Sequence, residues 1–327
     1  MSHTPIVGPA QHSEAWHQLR KFNPDRRDRP VVFGASEAAA ACNQCPYESA
    51  LSLYLKKRGE MESEFSASSK FRMAVGTHLE PLILDHYADQ QDCILERSQP
   101  MFFHPIWSFM GASLDAIARP RDRDRNESWA VDAKSTNWRM RDKTGQDTGK
   151  FGDEGTDQLP VNYIFQGQIQ MAVMGLDRCD FAVSIDNSEP LVYTVTRNDD
   201  LIKQIALAEA ELAERIIAGD PPEPNFEHSG TKQVLQRMFG TDFGKVAELS
   251  EEEHDLWIRK EQLSAHKKII DEELDEISAR ITWAMQDAEI GRFPDAAIEL
   301  KKTIVKESVV KEYTRKSYSF FKARKIG

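Results

Sequence analysis

The chain has 327 residues, enough for two domains or for one large domain with an extension. Its 42 basic and 53 acidic side chains give a formal net charge of −11, which taken alone argues against a nucleic-acid partner. With 40% hydrophobic residues, four cysteines and no apolar run long enough for a membrane span or a secretory signal, we expect a cytoplasmic globular protein without membrane contact.

The first 226 residues alternate between helix-like and strand-like segments. Residues 37–58 predict two short helices around a turn, and residues 70–90 predict an amphipathic helix that starts or bends near Pro81. Strands are expected at residues 99–105, 107–118, 128–135, 177–186 and 190–197, and helices at 162–175 and 198–218. A long, charged, glycine-containing loop at 139–160 separates the two halves of this α/β pattern.

The pattern changes beyond a proline-rich linker that ends near residue 226. Ser250 and Glu253 form a capping-box pattern ahead of a long segment without glycine or proline. Leucine or isoleucine recurs there every seven residues, but the positions three residues further on are polar, which favours a one-faced helix packed on a partner element over a full heptad seam. We therefore expect a core at 1–226 and a C-terminal extension at 227–327.

The extension has an uneven charge distribution. Residues 248–290 contain 13 acidic and 5 basic side chains, whereas residues 299–327 contain 9 basic and 3 acidic ones. The sequence thus predicts a long acidic helix at 250–290 and a basic tail at 291–327. It leaves the role of this extension open: the extension could pack within the chain, contact another subunit, dock a partner or guide DNA.

Two predicted strands contain the residues that suggest chemistry. Asp115 lies late in one strand, and Asp132 and Lys134 lie two apart on the next, so that their side chains share a face. Paired carboxylates suit Mg²⁺, and a nearby lysine can orient water and offset charge on a phosphate. The acid-x-Lys pattern is weak alone, because Glu299-Leu300-Lys301 has it too, where chance is a sufficient explanation.

The order of several segments makes the motif specific. The chain resembles the lambda-exonuclease or YqaJ-type viral recombinase family, within the PD-(D/E)xK nuclease superfamily. The matching segments are WHQLR (16–20), GASEAAAACNQCPYESALSLYLKKRG (34–59), GTHLEP (76–81), MGASLDAIA (110–118), VDAKS (131–135) and LPVNYIFQGQIQMAV (159–173). The resemblance implies a central mixed sheet flanked by helices, with a mainly helical C-terminal extension.

The same resemblance implies a set of catalytic residues. Asp115, Asp132 and the backbone carbonyl of Ala133 would bind Mg²⁺, for which Mn²⁺ would substitute, and Glu80 would contribute directly or through water. Lys134 would position or activate the attacking water. Gln166 would help to fix the metal or the terminal nucleotide. Asp132 stands where the family more often has a glutamate, so this carboxylate is one methylene shorter.

A pocket for a 5′-phosphate is also implied, formed by Arg20, Ser36 and Ser113, since an arginine fork and hydroxyl donors suit a phosphate dianion. Other roles for these residues stay open at this point. Ser36 is equally suited to cap a helix, and the arginines at 26, 27 and 29 could replace Arg20. Glu80 could merely favour a helix dipole near a helix start.

The implied activity is Mg²⁺-dependent 5′→3′ digestion of one strand at double-stranded DNA ends, which leaves a 3′ single strand for an annealing protein. Family members often form a homotrimeric ring around DNA, and many belong to phages or prophages. A structure- or site-specific endonuclease and a DNA-end-binding module without catalysis are the alternatives. An iron–sulfur cluster is not expected, because Cys42, Cys45, Cys93 and Cys179 do not have the required spacing.

Overall fold

The structure is a computed structural model of the chain, and it describes residues 4–26, 28–62, 66–97, 100–122, 124, 127–136, 151–240, 245–292 and 299–301. Its strands are β1 (Ile6–Ala10), β2 (Phe33–Gly34), β3 (Cys93–Arg97), β4 (Pro100–Phe103), β5 (Met110–Ala112), β6 (Ala116–Pro120), β7 (Trp129–Thr136), β8 (Arg178–Ile185), β9 (Leu191–Thr196), β10 (Ile290–Arg292) and β11 (Glu299–Lys301). Its helices are α1 (Glu14–Leu19), α2 (Ala38–Ala41), α3 (Ala50–Lys57), α4 (Ala67–Gln90), α5 (Val161–Met174), α6 (Asp199–Ala218), α7 (Thr231–Met238) and α8 (Glu251–Met285), and a 3₁₀ turn at Ala35–Glu37 precedes α2.

The chain divides into two compact units, residues 1–239 and 240–327. The helix α7 belongs to the first unit, where it packs near α3. The sequence predicts the boundary between core and extension near residue 226, whereas the structure divides the chain after residue 239.

The first unit is built around a five-stranded mixed sheet in the order β3-β6-β7-β8-β9, in which only β7 and β8 run parallel. Alternate residues of these strands face opposite sides, as the pleat requires. One face, with Val131, packs against Ile83 and Tyr87 of α4, and the other, with Ala130, packs against α5. This mixed sheet between helices confirms the expected fold class.

The first unit also contains a smaller, four-stranded sheet in the order β1-β4-β5-β2. The strands β5 and β6 belong to different sheets, so the chain crosses from one to the other at residues 113–115. The sequence predicted a single strand over 107–118, and that prediction is wrong at the crossing. Asp115 lies at this break. Its carboxylate accepts the backbone N–H of Ala133, which lies beyond the last residue of β7 that pairs with β6.

Helix α4 passes through Pro81 without interruption. Its buried residues are Ile83, Leu84 and Tyr87, while Met73 and Leu82, two apolar residues of the predicted amphipathic segment 70–90, are exposed. Only the C-terminal half of the helix covers the sheet, so the spacing in the first half does not report burial.

The second unit contains α8 and the short antiparallel pair β10–β11. Ser250 caps α8, and Glu253 completes the expected capping box by accepting the Ser250 N–H at 2.8 Å. No residue of α8 is buried, so the partner element expected for its apolar stripe is not found among the described residues. The predicted basic tail from residue 302 onward, like loop residues 137–150, lies outside them.

Across the part of the chain that the structure describes, no helix combines the length and the apolar character needed to cross a lipid bilayer.

A buried polar network ties α4 to the sheet. Asp180 on β8 accepts hydrogen bonds from the Tyr87 hydroxyl at 2.5 Å, the Thr194 hydroxyl at 2.9 Å and the guanidinium of Arg178. The indole N–H of Trp129 in turn donates to the Tyr87 hydroxyl at 2.7 Å. All four lone-pair directions of a fully buried carboxylate are therefore in use.

Because removal of Asp180 leaves several buried donors unpaired, we predict that Asp180→Ala lowers the free energy of unfolding by about 3–5 kcal/mol. Denaturant unfolding followed by circular dichroism measures this. The control is Asp89→Ala, which removes an exposed ion pair with Arg121 and should change stability by no more than about 1 kcal/mol. Equal stability of the two variants would contradict the role assigned to the network.

Candidate active site

The site begins where β7 extends beyond its neighbour β6. Pairing between the two strands ends at Val131 with Ala116, while β8 accompanies β7 as far as Thr136. One edge of residues 132–136 is therefore left without a strand partner. This open edge is where Asp132 and Lys134 project toward the α5 side of the sheet, as their two-residue spacing predicts.

Asp115 is bound to this open edge through the backbone. Its Oδ2 accepts the Ala133 N–H at 2.8 Å. Within a β-strand, the N–H and C=O of one residue point to the same side, so the Ala133 carbonyl also faces the Asp115 side. Two carboxylates and one backbone carbonyl thus converge on the same edge.

The charges of the site are strongly coupled. Burial, together with the Asp132 and Glu80 carboxylates, raises the pKa of Asp115 to about 8. Burial and Asp132 also raise the pKa of Glu80. Although burial opposes it, Asp132 and Asp115 raise the pKa of Lys134, whose ammonium group lies directly against Asp132 Oδ1. Lys134 is therefore a cation at neutral pH.

This donor set fits a divalent cation. Asp132 is 1% exposed, and its Oδ1 lies against the Lys134 ammonium. Within the described ranges, no group of three or more His, Cys, Asp or Glu side chains is arranged to hold a metal ion, so the set has two carboxylates and a backbone carbonyl. Mg²⁺ characteristically binds through few carboxylates and keeps several waters.

Two glutamines of α5 orient Asp132. The amide nitrogens of Gln166 and Gln170 donate to Asp132 Oδ2 at 2.5 and 2.8 Å. The other end of Gln170 accepts the Cys179 thiol at 3.2 Å, which fixes the direction of its amide. Gln168 faces away, toward the Thr196 carbonyl. The sequence identified Gln166 as a site residue but missed Gln170, although the i, i+4 spacing places both on one face.

The residues expected to hold a 5′-phosphate lie in the same place as the carboxylates. A cleft of about 230 Å³ is lined by Asp115, Asp132, Lys134 and Gln166 and by Arg20, Ser36 and Ser113, with Trp16 and His12 among the further lining residues. Segments more than 140 residues apart in sequence therefore converge in one site. Glu80 does not line this cleft, and it acts on the site through its charge.

The alternative roles that the sequence leaves open for Ser36 and Glu80 can be compared with the geometry. Ser36 makes no capping hydrogen bond: Gly34 and Glu37 occupy the N-cap positions of the 3₁₀ turn and α2. Glu80 lies deep inside α4, far from the first turn where a helix dipole favours an acid.

Arg20 lines the cleft, whereas two nearby arginines have other partners. Arg26 is bound to backbone carbonyls, including that of Leu19 at 2.9 Å, and Arg29 stacks on Phe103. Arg27 lies outside the described residues.

Aromatic residues of the site were also missed. Trp16 donates its indole N–H to Ser113 Oγ at 3.1 Å and lies beneath the guanidinium of Arg20. Tyr163 faces the ammonium of Lys134 at 5.3 Å from its ring centre. The available signals were the four-residue spacing of Trp16 from Arg20 and the three-residue spacing of Tyr163 from Gln166, which predict neighbours on one helix face.

Comparison with known proteins identifies the family of the core. Residues 15–177 match the family model described as the YqaJ-like viral recombinase domain. Curated protein sequences contain no significant match to the chain. An alkaline exonuclease from Laribacter hongkongensis superposes with a TM-score of 0.40 and 19% identity, covering 58% of this chain and 89% of the exonuclease. Its complex with dAMP gives a TM-score of 0.40 and 18% identity, covering 62% and 94%.

At such identities and TM-scores the structural matches are too distant to carry the assignment, which rests on the family model. The matched residues include Arg20, the open edge of β7 and the glutamines of α5, so the core is that of a nuclease of the lambda-exonuclease type. The chain belongs to the YqaJ-like viral recombinase family through residues 15–177, as the ordered sequence segments indicated.

Gln170 orients Asp132, a buried candidate metal ligand. We therefore predict that Gln170→Leu lowers the affinity for Mn²⁺ about 10–100-fold, as loss of a hydrogen bond to a metal ligand commonly does. Calorimetric titration of the purified protein measures this. The matched control is Gln168→Leu on the same helix, which should leave the affinity unchanged because Gln168 points away from Asp132. Unchanged affinity in folded Gln170→Leu would contradict the orienting role assigned to Gln170.

Proposed function

We propose that the protein is a Mg²⁺-dependent 5′→3′ exonuclease that resects one strand of double-stranded DNA ends. The observation that carries the proposal is the single cleft in which Asp115, Asp132 and Lys134 lie together with Arg20 and Ser113. A hydrolytic centre next to an anion pocket suits cleavage close to a phosphorylated end. The 3′ strand left behind would pass to an annealing protein, and a trimeric ring around the duplex is part of the proposal through the family resemblance alone.

Each residue has a distinct proposed task. Asp115, Asp132 and the Ala133 carbonyl would hold Mg²⁺, with Glu80 contributing nearby, and Mn²⁺ would fit the same oxygen ligands. The bound ion would supply Lewis-acid chemistry at the scissile phosphate. Lys134, being a cation, donates hydrogen bonds to the attacking water and offsets charge that develops on the phosphate. It is suited to positioning the water rather than to removing its proton.

The 5′-phosphate pocket sets which bond is cut. The guanidinium of Arg20 and the hydroxyls of Ser36 and Ser113 are donors that line the same cleft as the carboxylates. Such donors match a phosphate dianion in charge and hydrogen bonding. A terminal phosphate held there would fix the distance between the end and the carboxylates, which favours an exonuclease over an endonuclease on the same core.

The test is digestion of end-labelled linear duplex DNA in Mg²⁺, with EDTA and closed circular DNA as comparisons. We predict degradation of the linear duplex only, and only with the metal. Lys134→Ala should lower kcat about 100–1000-fold, the cost typical of removing one electrostatic donor from a reaction centre. Lys301→Ala is the matched control, because Lys301 ends the second acid-x-Lys sequence and should be dispensable.

Two outcomes would contradict the proposal. A wild-type kcat in Lys134→Ala would exclude this site as the catalytic centre. Equal degradation of circular and linear DNA would instead support an endonuclease on the same core.

A further inference from the structure

We propose that Glu37 and Lys57 are positioning residues that hold Arg20 for a 5′-phosphate, and that they thereby set the preference for phosphorylated DNA ends. The inference rests on the proposed function, since it concerns the same cleft. Neither residue lines that cleft itself.

Lys57 is a buried cation with all its donors in use. Its side chain is 2% exposed. The ammonium donates to the carbonyl of Arg20 at 2.9 Å, to the carbonyl of Val32 at 2.7 Å and to Glu37 Oε2 at 2.7 Å. An ammonium group has three N–H bonds, so no donor is left for a ligand. Lys57 therefore fixes the end of α1, where Arg20 stands, to the strand and the turn beneath the cleft.

Glu37 connects Lys57 to the guanidinium of Arg20. Its Oε1 lies 2.9 Å from the Arg20 guanidinium, and its Oε2 accepts the Gly34 N–H at 2.7 Å as well as the Lys57 ammonium. Although burial opposes it, Arg20 and Lys57 lower the pKa of Glu37 to about 2. The carboxylate is therefore an anion at any pH at which the protein would work.

Arg20 is held on further sides. Its guanidinium carbon lies 4.8 Å from the centre of the Trp16 ring. Gly34 is so close that a Cβ at this position would lie 3.5 Å from the guanidinium. The guanidinium has five N–H donors, and its contact with Glu37 leaves several of them for a phosphate. The fork is thus prearranged rather than free to rotate in solvent.

The cluster also keeps a positive charge. Glu209 on α6 is fully buried, and neither of its carboxylate oxygens has a hydrogen-bond partner among the described residues. Burial, with Glu37 nearby, raises the pKa of Glu209 well above its ordinary range, which favours its neutral form. With Glu209 neutral, two cations, Arg20 and Lys57, share one anion, Glu37. Arg20 is the most exposed of these side chains, and it lines the cleft.

The experiment compares the full chain on two linear duplexes that differ only in a 5′-phosphate or a 5′-hydroxyl. The measured quantity is the ratio of the two kcat/KM values. The double variant Glu37→Gln with Lys57→Met removes both buried charges together, so neither is left unpaired. We expect the ratio to fall about 10-fold or more, as for loss of a hydrogen bond to a charged group, and to reach that of Arg20→Ala.

A merely structural role would lower activity on both duplexes and leave the ratio unchanged. Addition of Arg20→Ala to the double variant should lower the ratio no further, because all three residues act as one unit. The matched control is Glu48→Gln with Lys56→Met, an ion pair of 2.6 Å involving the neighbouring lysine of α3 but outside the cleft, which should keep the wild-type ratio.

A wild-type ratio in the folded double variant would overturn the inference. If the double variant fails to fold, Glu37→Asp replaces it, since the shorter carboxylate keeps the anion and draws it back from Arg20. An unchanged ratio in this variant would also overturn the inference. A wild-type protein that digests both duplexes equally would overturn it while leaving the nuclease function intact, and a protein without nuclease activity would overturn the proposed function and this inference together.

Discussion

The hydrogen bond from the Ala133 N–H to the Asp115 carboxylate is the interaction on which the site depends. It forms where β6 has ended and β7 continues, so a side chain takes the place of the missing strand. This single contact brings Asp115 beside Asp132, directs the Ala133 carbonyl to the same edge, and lets the chain pass from one sheet to the other at residues 113–115. Ser113, two residues earlier, lies in the same crossing and lines the same cleft. Residues proposed to bind the metal and the phosphate are therefore positioned by one feature of the backbone.

The site combines groups of opposite charge in a small volume. Burial and the neighbouring carboxylates raise the pKa of Asp115 to about 8, and the Lys134 cation offsets part of the repulsion. Arg20, Glu37 and Lys57 form a second charged cluster, of which Arg20 lines the same cleft. The net charge of −11 is therefore no guide to the local charge, because much of the acidic excess lies in residues 248–290, beyond the residues of the cleft. An acidic protein can have a locally basic path for DNA, and carboxylates become compatible with phosphate when they hold a cation.

The sequence predicted the elements of the core where local signals define them. Side chains of residues 129–136 alternate between the two faces of the sheet, as the pleat requires, and α5 and α6 end at glycines in left-handed conformation. The break at Asp115 could not be predicted, since it depends on a side chain that replaces a ladder bond across 18 residues of sequence. The contacts by which Glu37 and Lys57 hold Arg20 could not be predicted for a similar reason. Its members lie on three separate elements, and no local pattern distinguishes Lys57, which is buried, from Lys56, which is not.

The account claims that one cleft holds both the metal and the phosphorylated DNA end. The most direct measurement is a crystal structure of the protein with Mn²⁺ and a short 5′-phosphorylated duplex, recorded with anomalous diffraction at the manganese edge. The account predicts an anomalous peak at coordination distance from carboxylate oxygens of Asp115 and Asp132 and the Ala133 carbonyl, with the 5′-phosphate against the guanidinium of Arg20. A manganese ion bound elsewhere, or a DNA end that leaves Arg20 in contact with Glu37 alone, would contradict it.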